Sequence, residues 1–388
     1  MTRSRPSAFV LTMLLVAGLG WLTSGASDPP LPGATTAAGM QGHGTATTGQ
    51  GTAEPGKSGQ GAAGSGAEAT GPAGGRKGVA ADLFGLSDDA LNATLDDMVR
   101  LGVTFVRIDF DWSHIQPRRD LYNVEAHDRV ARAVQAHGLR LLGIIDYSPE
   151  WANGGAGTKL HPPVDPADYG RFAGYLAQRY KHFGVHDWEI WNEPNLGSVF
   201  WRSGADPARY VGLLKAAYPE IKRADPGATV ITAGLAPAAD EGLDMRPQTF
   251  LDGVYRAGGR GFFDHVGHHP YVSPALPSAT DGSAFWWTAM DDLRAIMVKN
   301  GDGAKAIWMT EFGAPTAGGP GAVDEARQAA IITDGFRLQQ RAAWLGPLIV
   351  YAYKDAGTDP STQENFFGIL RADGSRKPAW EAFRQAPR

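Results

Sequence analysis

The chain has no cysteine among its 388 residues. Disulfide staples are therefore excluded, and so is a lipid carried on an N-terminal cysteine. Positive charge is also scarce, with 36 basic side chains against 41 acidic ones. That balance speaks against a nucleic-acid partner and suits a neutral or non-acidic substrate. No glycine-rich phosphate fingerprint follows the first expected strand, which runs into Phe84-Gly85-Leu86-Ser87-Asp88, so a nucleotide cofactor is not expected. No serine stands in a Gly-x-Ser-x-Gly elbow, which removes the usual hydrolase nucleophile. His268 and His269 are adjacent, and neighbours on a strand point to opposite faces, so the pair does not share a metal ion. The expected chemistry thus needs neither metal nor cofactor.

The N-terminus carries Arg3 and Arg5, an apolar run over residues 8–22, and Ser24-Gly25-Ala26. That is the layout of a secretory signal, and the run is short for a full membrane span of about 20 residues. Residues 1–26 are read as a signal peptide or N-terminal anchor, which places the protein outside the cytoplasm, secreted or held at the cell envelope. Residues 27–77 are glycine, alanine, threonine and serine with almost no large apolar side chain. Such a stretch cannot bury enough surface to offset its ordering entropy and is expected to be a disordered linker. Five basic and three acidic residues precede Gly78, leaving 31 and 38, a net charge of −7, on residues 78–388.

From there short apolar strands alternate with helix-period segments. Strands are expected at residues 80–85, 103–112, 141–147, 186–192, 229–235, 262–271, 306–311 and 348–355, each followed by a helix. Eight repeated units make a closed (β/α)8 TIM barrel the expected fold, as a single catalytic domain of α/β class.

Two of these strands end in a glutamate among turn-forming residues. One string is Glu189-Ile190-Trp191-Asn192-Glu193-Pro194-Asn195, and the other is Trp308-Met309-Thr310-Glu311-Phe312-Gly313. The C-terminal tips of barrel strands are where this fold places its chemistry. Two carboxyl groups there are the parts needed for glycoside cleavage, one to protonate the leaving oxygen and one to face the anomeric carbon. On the second strand, alternation puts Arg107 on the same face as Asp109 and Asp111.

The stretch from Glu189 to Trp201 resembles the fourth-strand signature of clan A glycoside hydrolases, most closely family 39. Asp225-Pro226 after the next helix and the tail Phe367-Gly368-Ile369 … Lys377-Pro378-Ala379 are similar to that family too. Phe312-Gly313 after the second glutamate resembles family 5 of the same clan. The resemblance implies a retaining enzyme with Glu193 as acid/base and Glu311 as nucleophile. It further implies that Asn192 binds the substrate 2-hydroxyl, that Arg107 and Tyr271 hold Glu311, and that His269 contacts the sugar or the acid/base. Trp112, Trp151 and Trp201 follow strands, as do Trp286 and Trp287, and are expected to offer rings for sugar stacking. Tyr353, at the end of the last strand, is expected to face the cleft.

The sequence therefore predicts an exported glycosidase that acts as a monomer by double displacement on a β-linked poly- or oligosaccharide. The alternatives are a catalytically silent carbohydrate-binding barrel, a xylanase-type or inverting relative, and a metal-dependent hydrolase. Because the linker has no core-forming content, its removal is expected to leave the Tm of the barrel unchanged to within a few degrees. A larger drop in a calorimetric scan would show that the segment packs on the barrel.

Overall fold

The computed structural model describes residues 76–387. The signal segment and the linker, apart from its last two residues, lie outside the described residues. Strand β1 (Lys77–Ala80) leads to helix α1 (Asp88–Leu101), and β2 (Phe105–Asp111) to α2 (Trp112–Ile115) and α3 (Glu125–Ala136). Then come β3 (Arg140–Asp146) with α4 (Glu150–Asn153) and α5 (Pro166–Tyr180), and β4 (Asp187–Ile190) with α6 (Pro207–Ala224). The second half is β5 (Thr229–Leu235), α7 (Pro247–Arg256), β6 (His265–His268), α8 (Phe285–Lys299), β7 (Ile307–Phe312), α9 (Glu325–Gln339), β8 (Leu345–Val350) and α10 (Pro378–Gln385). Each strand pairs in parallel with the next, and β1 pairs with both β2 and β8, which closes the expected (β/α)8 barrel.

Local chemistry starts the helices where they start. The side chains of Ser87, Asp165, Asp206 and Asp324 accept backbone N–H groups in the first turns of α1, α5, α6 and α9. Proline opens α5, α6, α7 and α10, where a missing N–H costs nothing. No helix among the described residues is long and apolar enough to cross a membrane.

The strands divide their side chains between two cores. Val106, Ile108 and Phe110 of β2, Trp188 and Ile190 of β4, and Ile307 and Met309 of β7 belong to the larger cluster shared with the helices. Phe105, Leu142, Ile231, Trp308 and Ile349 form a separate cluster inside the barrel. There Phe105 meets Trp308 edge-on at 5.2 Å, although β2 and β7 are not neighbours. Two residues further along, the inward positions turn polar, Phe105 giving way to Arg107 and Trp308 to Thr310. The barrel is thus plugged with hydrocarbon at one end and charged at the other.

Two expected strands are misplaced. The first was expected at 80–85 but occupies Lys77–Ala80, and the apolar residues after it belong to the following turn. A lysine hid this strand. Its Nζ donates to the carbonyls of Leu101 at 3.1 Å, Phe383 at 2.7 Å and Ala386 at 3.0 Å, so the charge ends on helix C-termini. The eighth strand, expected at 348–355, is Leu345–Val350. Lys77→Ala would leave these buried carbonyls short of a donor and is expected to cost about 1–3 kcal/mol in urea unfolding. An unchanged midpoint would mean that the lysine does not tie the two ends of the barrel together.

Candidate active site

Beyond β4 the backbone turns sharply. Trp191 (φ 71°) and Glu193 (φ 43°) adopt left-handed conformations, which cost bulky L-residues on the order of 1–3 kcal/mol each. The surroundings enforce them. The Trp191 backbone N–H reaches Ile145 O at 2.9 Å and its indole N–H reaches Phe200 O at 2.9 Å. The Asn195 side chain accepts from Ala236 N and donates to the carbonyls of Ala236 and Met245. So held, the turn presents Asn192 and Glu193 at the barrel mouth. Glu311 arrives from β7 beside a register irregularity between Met309 and Phe312.

One cation binds these parts together. Arg107 donates through Nε to Glu189 Oε2 at 2.8 Å, through Nη1 to Glu311 Oε1 at 2.8 Å, and through Nη2 to Asn192 Oδ1 at 3.1 Å. Because Arg107 takes the Asn192 oxygen, the amide NH2 is left to serve as a donor elsewhere. Tyr271 gives its hydroxyl proton to Glu311 Oε2 at 2.8 Å. The Glu311 carboxyl is also raised: burial pushes it up and Glu193 adds to the shift, while His269, Arg107 and the Tyr271 hydrogen bond pull against it. Glu193 has no such company. Burial pushes it up to about 8, with Arg107 opposing and Glu189 adding to the shift.

The protons around Glu193 can be traced one by one. Thr310 Oγ1 lies 2.9 Å from Glu189 Oε1 and 3.1 Å from His269 Nε2. Glu189 already accepts Arg107 at one oxygen and the Gly234 N–H at the other (2.8 Å), so both of its oxygens act as acceptors. The single Thr310 proton therefore points to Glu189, and Thr310 accepts Nε2–H from His269. Burial lowers the His269 pKa, so the ring is neutral and its Nδ1 is bare. The 2.7 Å contact between Nδ1 and Glu193 Oε1 then requires a proton on Glu193. Glu193 rests as an acid. An oxygen of Glu193, a ring nitrogen of His269 and an oxygen of Glu311 all lie within 4.8 Å of one another.

Of the residues singled out in the sequence, Glu193, Glu311, Asn192, Arg107, His269 and Tyr271 converge at this mouth. The aromatic expectations mostly fall elsewhere. Trp112 is fully buried, donates to Gln116 and stacks on Phe172, and Trp201 is fully buried between Trp191 and Tyr210. Both pack helices against the barrel and offer no face to a ligand. Trp287 is buried against Phe312, while Trp286 is half-buried beside Phe285. Trp151 is half-buried under the Arg119 guanidinium, its indole N–H on the Gln116 carbonyl. Tyr353 turns away from the mouth and donates to Asp97 of α1 at 3.1 Å. His268 faces the carbonyls of Leu235 and Trp286, on the opposite side from His269.

Four contributors went unread in the sequence. Glu189 and Thr310 reach the chemistry only through Arg107 and His269. Gly234 lies so close that a Cβ there would collide with the His269 ring and Thr310 Oγ1. Glu364, in the loop after β8, is buried with neither carboxyl oxygen partnered in the described chain. Burial chiefly, and Glu193 less, push it up to about 8. Their places in the two motif strings, Glu189 opening one and Thr310 directly before Glu311 in the other, could have flagged both. Nothing local marks Gly234 or Glu364.

No protein-family model matches this sequence, and no curated protein does. Solved structures do. A family 39 glycoside hydrolase from Bacteroides cellulosilyticus WH2 superimposes with a TM-score of 0.65 at 26% identity, over 80% of this chain and 62% of that one. A monomeric β-xylosidase from Caulobacter crescentus CB15 gives 0.58 at 21%, over 80% and 67%. A family 5 subfamily 18 enzyme from Streptomyces cattleya, in complex with GlcNAc, gives 0.58 at 19%, over 81% and 79%. The chain spans about three fifths of the first of these, and the fold is the one that clan A glycoside hydrolases share.

The proton assignment can be tested without any substrate. Nitrogen NMR of His269 is expected to show the Nε2–H tautomer and a titration near pH 8 that reports Glu193. Thr310→Val removes the acceptor of Nε2–H, so the ring proton shifts toward Nδ1 and the midpoint falls by about one unit, the worth of one hydrogen bond. Thr310→Ser is expected to restore both. A tautomer indifferent to Thr310→Val contradicts the assignment.

Proposed function

We propose that the chain is a retaining glycoside hydrolase that cleaves β-linked poly- or oligosaccharides, with Glu193 as acid/base and Glu311 as nucleophile. The observation that carries this reading is the unequal environment of two carboxyl groups whose nearest oxygens lie within 4.8 Å. One faces a bare imidazole nitrogen, and the other receives an arginine and a tyrosine. Retaining enzymes hold their carboxyl groups roughly 5–5.5 Å apart, and inverting ones about 6.5–9.5 Å to admit a water.

The chemistry follows from the environments. Glu193 passes its proton to the glycosidic oxygen as the bond to the anomeric carbon breaks, while a Glu311 oxygen attacks that carbon from the opposite face. Arg107 and Tyr271 keep Glu311 in its attacking form and spread its charge. Proton loss leaves Glu193 as a base beside His269, ready to take a proton from the water that hydrolyses the glycosyl-enzyme. Asn192, its oxygen held by Arg107, turns its NH2 toward the 2-hydroxyl of the reacting sugar. The likeness to a family 39 enzyme above 25% identity supports the same reading. The signal-like residues 1–26 support action outside the cytoplasm, by a monomer on carbohydrate of the envelope or surroundings.

The two roles are separable by substitution. Glu311→Gln removes the group that forms the covalent intermediate, so turnover of every glycoside is expected to fail. Glu193→Ala still permits the first step with an aryl glycoside whose phenol needs no protonation, but hydrolysis of the intermediate stalls. Azide needs no base, so it is expected to rescue Glu193→Ala and yield a β-glycosyl azide. Rescue of the Glu311 variant with an inverted product would reverse the two assignments.

A further inference from the structure

Beside Glu193 the mouth carries three carboxyl groups that the chemistry above does not use. Asp109 and Asp111 follow Arg107 along the inward face of β2, and Asp146 ends β3 directly opposite Asp111 in the strand register. Of the three, Asp111 is the one with an ion pair among the described residues, to Lys159 Nζ at 2.6 Å, and that lysine also sits 4.5 Å above the Tyr147 ring. Arg107 is committed to Glu189, Glu311 and Asn192. Asp109 has no hydrogen-bond partner for its carboxylate among the described residues. Asp146 is 1% exposed, and its buried Oδ1 likewise has none. A core carboxyl group without a partner loses its hydration and regains nothing, so a buried orphan of this kind points to a ligand.

The wall is continuous with the catalytic pair. Tyr147, at φ 63°, is the residue after Asp146, and Asp146, Asp109, Asp111 and Glu193 all act on its hydroxyl. Burial, and then repulsion among Asp109, Asp111 and Asp146, pushes the Asp146 carboxyl well up. Burial pushes Asp109 up to about 6, with Arg107 and Lys159 opposing and Asp111 and Asp82 adding. Sugar hydroxyls would satisfy the orphaned oxygens one at a time but would not draw these burial-raised carboxyls into their charged form. A protonated amine does both, because it supplies three donors and a positive charge.

We infer that the Asp109–Asp111–Asp146 wall receives a protonated amino group, so that the saccharide held at this mouth contains free, non-acetylated amino sugars. The inference rests on the reading that the mouth binds carbohydrate. It assigns to the β2–β3 side of that mouth a specificity role separate from Glu193 and Glu311.

Binding to the intact chain tests it without relying on turnover. Titration calorimetry at about pH 6, below the roughly 7.7–8.0 pKa of an ordinary α-amino group, would compare β-linked glucosamine oligomers with their fully N-acetylated counterparts and with neutral gluco-oligosaccharides. The glucosamine form is expected to bind at least about tenfold more tightly. Asp109→Asn and Asp146→Asn are each expected to bring that ratio toward one while leaving affinity for the neutral oligomers within about twofold. Asp109 is only half-buried, so its variant stands as a test even if Asp146→Asn fails to fold. Equal or weaker binding of the glucosamine form, or a preference that survives Asp109→Asn, overturns the inference. Hydrolysis of neutral glycosides with no advantage for the amine would sink this inference and leave the glycosidase reading intact. Amine-dependent binding without turnover of any glycoside would do the reverse.

Discussion

The Arg107 guanidinium lies inside the barrel with each of its three nitrogens given to a different partner, Glu189, Glu311 and Asn192. An arginine this deep is stable only because charged and polar groups replace its water, and those groups in turn would be stranded without it. The bond network joins β2 to the turn after β4 and to β7, so it sets where Asn192 and Glu311 stand relative to one another. It also bears on the charge of the two catalytic carboxyls. Glu311 and Glu189 take the cation's hydrogen bonds and Glu193 takes none, so the burial that pushes both Glu193 and Glu311 up meets more opposition at Glu311. Two carboxyls in one cavity acquire two roles because their neighbours differ.

The barrel makes this arrangement affordable. Below the charged layer, Phe105, Leu142, Ile231, Trp308 and Ile349 fill the interior, while the outward faces of the strands pack on the helices. With stability supplied there, the turn after β4 can hold Trp191 and Glu193 in left-handed conformations, and Gly234 can sit where no side chain fits. The His269–Thr310–Glu189 chain belongs to the same logic. It links Glu193, at the mouth, to Glu189 deeper in the barrel, which also accepts Arg107.

Much of this was legible in the chain. Eight strand–helix units, the two glutamates at strand tips and the inward face of Arg107 follow from periodicity and motif alone. What escaped did so for physical reasons. The first strand was missed because Lys77 reads as a linker residue, whereas its charge is spent on carbonyls contributed by α1 and the C-terminal residues. Trp112, Trp201 and Tyr353 occupy the right loops but point the wrong way, since position after a strand says nothing about rotamer. Glu189 acts on residues 82 and 121 positions away, through Arg107 and Thr310, and no local pattern reports such a distance. The amine-binding wall needed the strand register, which places Asp146 beside Asp111.

The double displacement proposed for Glu311 fixes the anomeric configuration of the first-formed product. Proton NMR of fresh hydrolysate, taken before mutarotation, would be recorded on a β-glycoside that the native chain turns over. With double displacement, the β-anomer is expected first and the α-anomer grows in only as the sugar equilibrates. An α-anomer formed first would mean a single displacement by water, which a pair of carboxyls this close does not accommodate, and would contradict the account.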